Sequence, residues 1–386
     1  MTRAERHTTV RLACVFALRM LGLFIILPVF TLHASDLDAA TPTLVGMALG
    51  AYGLTQAVCQ IPAGRLSDRI GRKPVIIGGL LLFALGSAVA ALSVSIYGVL
   101  LGRLLQGMGA IASALMALAS DHVREEHRTK SMAVFGISIG VAFGLSMVAG
   151  PILYAELRLA GMFWFAGCLA LAAIVIIASQ DAPAAPTQAR AAQATAARVG
   201  QMLAENRLFC LHSGIFCLHF VLMSNFVAVP VLLQLNLPVA EHWYVYLPAF
   251  ALSVLAMAPV VRNHEVNVRR RLGGSAALLV ITEFALASNG GSPWAVGLLL
   301  AVFFSCFNVL EATLPSLVSR YAPHNARGTA LGIFSTAQFL GTFCGGLTGG
   351  WLAGTMGLSA IFICNATVAG LWALAVTQMP GEQPSK

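Results

Sequence analysis

Residues 75–95 read VIIGGLLLFALGSAVAALSVS, with no charged side chain. A run of roughly 20 apolar residues is what a helix needs to cross the hydrocarbon core of a bilayer. The pattern recurs at about 10–32, 43–63, 97–119, 131–153, 158–178, 207–234, 244–261, 272–290, 293–316, 328–352 and 357–379, which predicts twelve spans. In lipid such runs satisfy their backbone N–H and C=O groups only as helices. The expected fold is therefore an all-α polytopic membrane protein. A chain that is 58% hydrophobic, 10% charged and has a mean hydropathy of +0.82 could not hide that surface as a soluble domain. Its 37 glycines suit close helix packing in lipid. The first run is too long for a signal peptide, contains Arg19 and lacks a clear cleavage site, so it is expected to stay as a span.

Positive charge predicts which loops face the cytoplasm. Of the 23 Lys and Arg, all except Arg19, Arg103 and Arg158 fall at the termini or on one set of alternate loops. Both termini are therefore expected in the cytoplasm. The segment SQDAPAAPTQARAAQATAARVGQMLAEN, 179–206, has no long apolar run and reads as a linker. It divides the chain into two six-helix bundles, 1–178 and 207–386. The basic balance serves orientation, and no basic soluble domain is present to hold nucleic acid.

Chemistry of other classes has no purchase. There is no Walker-type phosphate loop, no HExxH and no GxSxG. All eight cysteines fall inside expected spans with no CxxC pair or Cys/His cluster, and they read as small apolar packing residues. An enzyme, a metal site and a bound cofactor are not expected. Energy would come from an ion gradient.

The two halves resemble each other. RTKSMAVFGIS at 128–138 and RGTALGIFSTA at 327–337 each follow a polar loop and open the fifth span of their half. A shift of 199 aligns Arg128 with Arg327 and Phe135 with Phe334. Because each half has an even number of spans, the copies run in the same direction, as in transporters built from parallel repeats.

The most telling stretch is GRLSDRIGRKP, 64–74, which packs Arg65, Asp68, Arg69, Arg72 and Lys73 between two uncharged runs. It resembles the major facilitator signature G-x-L-x-D-R-x-G-R-K at every specified position: Gly64, Leu66, Asp68, Arg69, Gly71, Arg72 and Lys73. RLLQG, 103–107, resembles the fourth-span pattern of proton-coupled members. GVAFGLSMVAGP, 140–151, resembles the fifth-span motif of antiporters through Gly140, Gly144, Gly150 and Pro151, without the usual trailing glycine pair. The whole chain is most similar to the YajR-type inner-membrane transporters of bacteria, through LRMLGLFIILPVF, YGLTQAVCQIPAGRLSDRIGRKP, AEHW and FNVLEATLPSL. Members of that group can carry a soluble domain after the last span, whereas this sequence ends at Lys386.

The resemblance implies a gate. Asp68 would dock against the N-terminus of the eleventh span, near Gly328 or Thr329, where free N–H groups and the helix dipole favour an anion. Arg72 would pair with Asp121. These contacts would close the cytoplasmic side and break when it opens.

Ionisable residues inside spans are functional candidates, because an unpaired charge in lipid is costly. The resemblance places the first, fourth, seventh and tenth spans around a central cavity. Arg19, Arg103, His219 and Glu311 would border it, with Gln106, Asn225 and Asn308 as neutral partners. Glu311 is the leading proton carrier. Arg103 would tune a nearby acid, and Arg19 would meet an anionic group of a substrate. Glu283, on the ninth span, is expected to be structural.

The expected protein is a monomeric multi-pass transporter of the bacterial inner membrane, exporting a small amphipathic compound in exchange for protons. Two alternatives remain open at this point: an importer or facilitator of a small organic anion, using Arg19 and Arg103, and a non-transporting membrane sensor with the same fold.

Overall fold

The computed structural model describes residues 1–180, 205–262, 268–323 and 326–379. Among them are helices and turns but no strand; an isolated bridge joins Asp38 and Ser95. The chain forms two compact units, Met1–Ala191 with Val239–Trp243, and Ala192–Pro238 with Tyr244–Lys386. The expected linker, 179–206, lies largely outside the described residues.

The first unit contains α1 (Arg3–Phe24), α2 (Leu27–His33), α3 (Pro42–Ile70), α4 (Arg72–Leu92), α5 (Ile96–Met108), α6 (Ala112–His122) and α7 (Arg128–Ala178). Local chemistry sets several of these limits. At the start of α1, Thr2 and Glu5 form a reciprocal capping box. Thr41 accepts the Leu44 N–H ahead of Pro42, the first residue of α3. Gly71, at φ 97°, ends α3 and admits α4 at once, a backbone that a side chain would strain. The first span breaks near Ile25 and the fourth near Gly109, so each is two helices. α1 lies along α7, with Phe16 against Phe135 and Phe24 against Phe143 at ring separations of 5.9 and 5.4 Å.

The second unit contains α8 (Asn206–Gln234), α9 (Trp243–Arg262), α10 (Val268–Ala287), α11 (Pro293–Tyr321), α12 (Arg327–Thr355) and α13 (Leu358–Gln378). α8 is its axis, buried along most of its length against α11, α12 and α13. α12 comes very close to it: an added Cβ on Gly341 or Gly345 would overlap the carbonyl oxygen of Phe216 or Phe220. The Ser224 hydroxyl donates to Gly345 O at 3.0 Å across the same contact. On the other side, Trp372 of α13 donates its indole N–H to Cys210 O at 3.0 Å.

Nine helical stretches among the described residues are long and apolar enough to cross a membrane, against the twelve expected. The fifth and sixth expected spans run together as α7, 51 residues long, which is about twice a bilayer crossing. α7 is broken only at Arg158, whose φ of 54° and ψ of −178° are not helical. α9 and α10, each of 20 residues, are outside the nine; α10 begins among Arg269, Arg270 and Arg271. The repeat shows in the helix starts: α7 opens on Arg128 and α12 on Arg327.

Candidate functional site

The segment 64–74 spans the end of α3 and the start of α4. Arg72 is its hub. Its Nη1 contacts the Asp68 carboxylate and donates to Ser67 Oγ at 2.8 Å, and its Nε lies 3.4 Å from Asp121 Oδ2 at the end of α6. Asp68 and Asp121 are each over a third exposed, so each pair is worth about 0–1 kcal/mol. Lys73 does something different. Its Nζ donates to Ala178 O and Gln180 O, both at 2.7 Å, and so satisfies carbonyls left open where α7 ends. Arg69 is exposed. Gly64 brings α3 onto α6, 3.3 Å from Ser113 Oγ to the position of an added Cβ.

Arg19 and Arg103 do not meet each other, and neither has exposed surface. The expectation that they border water gives way to a buried setting inside the first unit. Arg103 donates to Ala48 O at 3.4 Å, Leu49 O at 3.0 Å and Gln106 Oε1 at 2.9 Å, and its guanidinium sits 4.6 Å from the Tyr52 ring centre. Gln106 passes the link to Ser87 of α4 at 2.8 Å. Main-chain carbonyls, one side-chain amide and an aromatic face thus hold this cation, with no carboxylate partner among the described residues. Arg19 is less well held. Its Nη2 donates to Gln56 Oε1 at 3.0 Å, and Phe83 lies 5.7 Å away, but Nε has no partner among the described residues. Gln56 Nε2 is likewise unpartnered there.

The second unit brings two expected residues together through a third. His219 Nδ1 faces Ile215 O at 3.3 Å and must carry the proton to bond there. His219 Nε2 then accepts from the Gln338 amide at 2.9 Å, and the same amide nitrogen donates to Glu311 Oε1 at 3.2 Å. The imidazole and the carboxylate are 3.9 Å apart. Glu311 keeps 39% of its side chain exposed, unlike Arg19, Arg103 and Glu283. Its Oε1 is bonded to a neutral amide, while its Oε2 is buried without a hydrogen-bond partner among the described residues. Asn308, one turn earlier on α11, donates to Ser253 Oγ at 3.0 Å.

Asn225 does not join this group. It is buried with Glu283 of α10 and Asn365 of α13, in a closed set of amide and carboxylate contacts. Of the fifth-span motif, Gly150 packs tightly, an added Cβ lying 2.7 Å from Ile25 O. Around Gly140, beyond its own turn of helix, no described atom lies within 4 Å of that position. Gly144 and Pro151 sit within α7.

Gln338, Gln56 and Asn365 escaped the search of the sequence, which weighed ionisable groups first. Their signal was there: an amide inside an apolar span is nearly as hard to leave unbonded as a charge.

Buried ionisable groups at helix crossings, in a chain of membrane-length helices, are features of a membrane transporter. A model of the Major Facilitator Superfamily matches residues 12–343, and the chain belongs to that superfamily. It is 44% identical to the "Inner membrane transport protein YajR" of Escherichia coli strain K12, over 98% of this chain and 84% of that one. It is 30% identical to the "Multidrug resistance protein MdtH" of Aeromonas hydrophila, over 90% of this chain and 87% of the relative. A crystal structure of a bacterial homologue of the human lysosomal transporter Spinster shares the fold, with a TM-score of 0.80 at 12% identity, covering all of both chains.

Proposed function

We propose that the protein is a proton-coupled exporter of a small amphipathic compound, working by alternating access in the bacterial inner membrane with both termini in the cytoplasm. The observation that carries this reading is the Glu311–Gln338–His219 constellation. It contains a carboxylate on a partly exposed side chain, bonded through one oxygen to an amide and with the other, buried and unpartnered among the described residues, 3.9 Å from an imidazole. Such an acid can take up a proton when its surroundings dry and release it when they wet. The kinship with a protein named for multidrug resistance supports export. In this reading Asp68, Arg72 and Asp121 belong to a latch that biases a two-state equilibrium, for which a few kcal/mol suffices. No cofactor takes part.

Proteoliposomes with an imposed pH gradient test it. A panel of amphipathic compounds should include one whose addition releases a proton flux that Glu311→Gln abolishes. Identical proton movement with and without every compound would reject export coupling. A second reading, uptake of an organic anion, is favoured by the two unpartnered donors Arg19 Nε and Gln56 Nε2. Anion uptake that Arg19→Ala abolishes would select it.

A further inference from the structure

Glu283 is fully buried near the far end of α10. Its Oε1 accepts from Asn225 Nδ2 at 2.7 Å and its Oε2 from Asn365 Nδ2 at 3.1 Å, while the same Asn365 nitrogen reaches Asn225 Oδ1 at 3.1 Å. Three helices, α8, α10 and α13, thus meet on one carboxylate. No described cation lies within ion-pair distance of it. α13 carries no charged residue, and its nearest titratable group is Cys364. On α8 the titratable neighbours are Cys217, His212 and His219. On α11 they are Cys306, Glu311 and Arg320. The arginines of α10 itself, Arg269, Arg270 and Arg271, lie at its opposite end, about 18 Å away at 1.5 Å per residue.

A carboxylate taken from water without a cation costs several kcal/mol, and two amide donors only partly offset that. Asn365 Nδ2 divides its donation between Glu283 Oε2 and Asn225 Oδ1, so the carboxylate receives one full amide donor and one shared one. A bound proton would remove the charge that these two amides leave uncompensated.

We propose that Glu283, Asn225 and Asn365 form a second proton-binding site, separate from Glu311. Asn225 and His219 are six residues apart on α8, about 120° around the helix at 3.6 residues per turn. The two acids therefore address different faces of the same helix. With its proton, Glu283 joins α8, α10 and α13 through neutral hydrogen bonds. Without it, the three helices enclose an uncompensated charge. The proposal does not require that transport be proton-coupled, and its test reads neither flux nor substrate.

Infrared spectroscopy of the purified protein at about pH 8, where exposed carboxyls are ionised, should show a protonated carboxyl band that shifts in D2O. Glu283→Gln keeps the amide partners and should remove one carboxyl equivalent per chain, whereas Glu311→Gln leaves that component in place. Asn365→Leu should move the band, which provides a reading if Glu283→Gln does not fold. A wild-type spectrum without such a band would overturn the proposal, as would a Glu283→Gln spectrum identical to wild type. A band lost when sodium chloride replaces choline chloride would also overturn it, because a metal ion would then fill the site.

Discussion

The closeness of α8 and α12 makes Gly345→Ala an informative perturbation. A Cβ there would lie 2.8 Å from both C and Cα of Phe220, and nearer still to its carbonyl oxygen. Carbon atoms rest at about 3.5–4.0 Å, so the two helices must separate by about 1 Å. Overpacking of that kind costs about 1–3 kcal/mol, against a gain of up to about 1 kcal/mol for alanine over glycine inside a helix. The net loss, up to about 2 kcal/mol, should lower the melting temperature by several degrees in detergent, at about 2–4 °C per kcal/mol for a unit of this size. The separation also stretches the 2.9 Å Gln338–His219 bond, two turns earlier on α12, beyond hydrogen-bonding range. Gly328→Ala is the control, since beyond its own turn of helix no described atom lies within 4 Å of an added Cβ there. The assay is a thermal melt of both variants beside the pH profile of transport. If Gly345→Ala melts at or above Gly328→Ala with an unchanged profile, the tight crossing does not position the site.

Glu311→Gln should preserve substrate exchange across proteoliposomes at equal pH while uphill transport driven by a pH gradient falls by about tenfold or more, the effect of losing about 1.4 kcal/mol or more of coupling; uphill transport at the wild-type rate would remove Glu311 as carrier. Arg103→Met replaces a buried cation that has no carboxylate partner with an apolar chain of similar length. It should melt within about 1 kcal/mol of wild type, whereas Arg103→Ala leaves a cavity and should lose about 2–5 kcal/mol, both read by chemical or thermal unfolding. Asp68→Asn should raise cysteine labelling from the cytoplasmic side; unchanged labelling and transport would discard the latch.

Much of the fold was legible because bilayer crossing imposes length and polarity on every span. The helix starts at Arg128 and Arg327 followed from a repeated segment read in the chain. The Arg72–Asp121 contact followed from a motif. Partners across helices were not legible. Arg103 binds the main-chain carbonyls of Ala48 and Leu49, which every residue possesses and no sequence pattern marks. Asn225 binds Glu283, 58 positions away, although its place on the seventh span suggested the neighbourhood of Glu311. Periodicity tells which way a side chain faces on its own helix; only the crossing of a second helix decides what it finds there.

The grip of Lys73 on Ala178 and Gln180 has a mechanical side. The chain leaving the first unit departs from a clamped point, and that clamp is held by the residue next to Arg72. The end of α7 is thus held by the same short segment, 64–74, that carries Asp68 and Arg72.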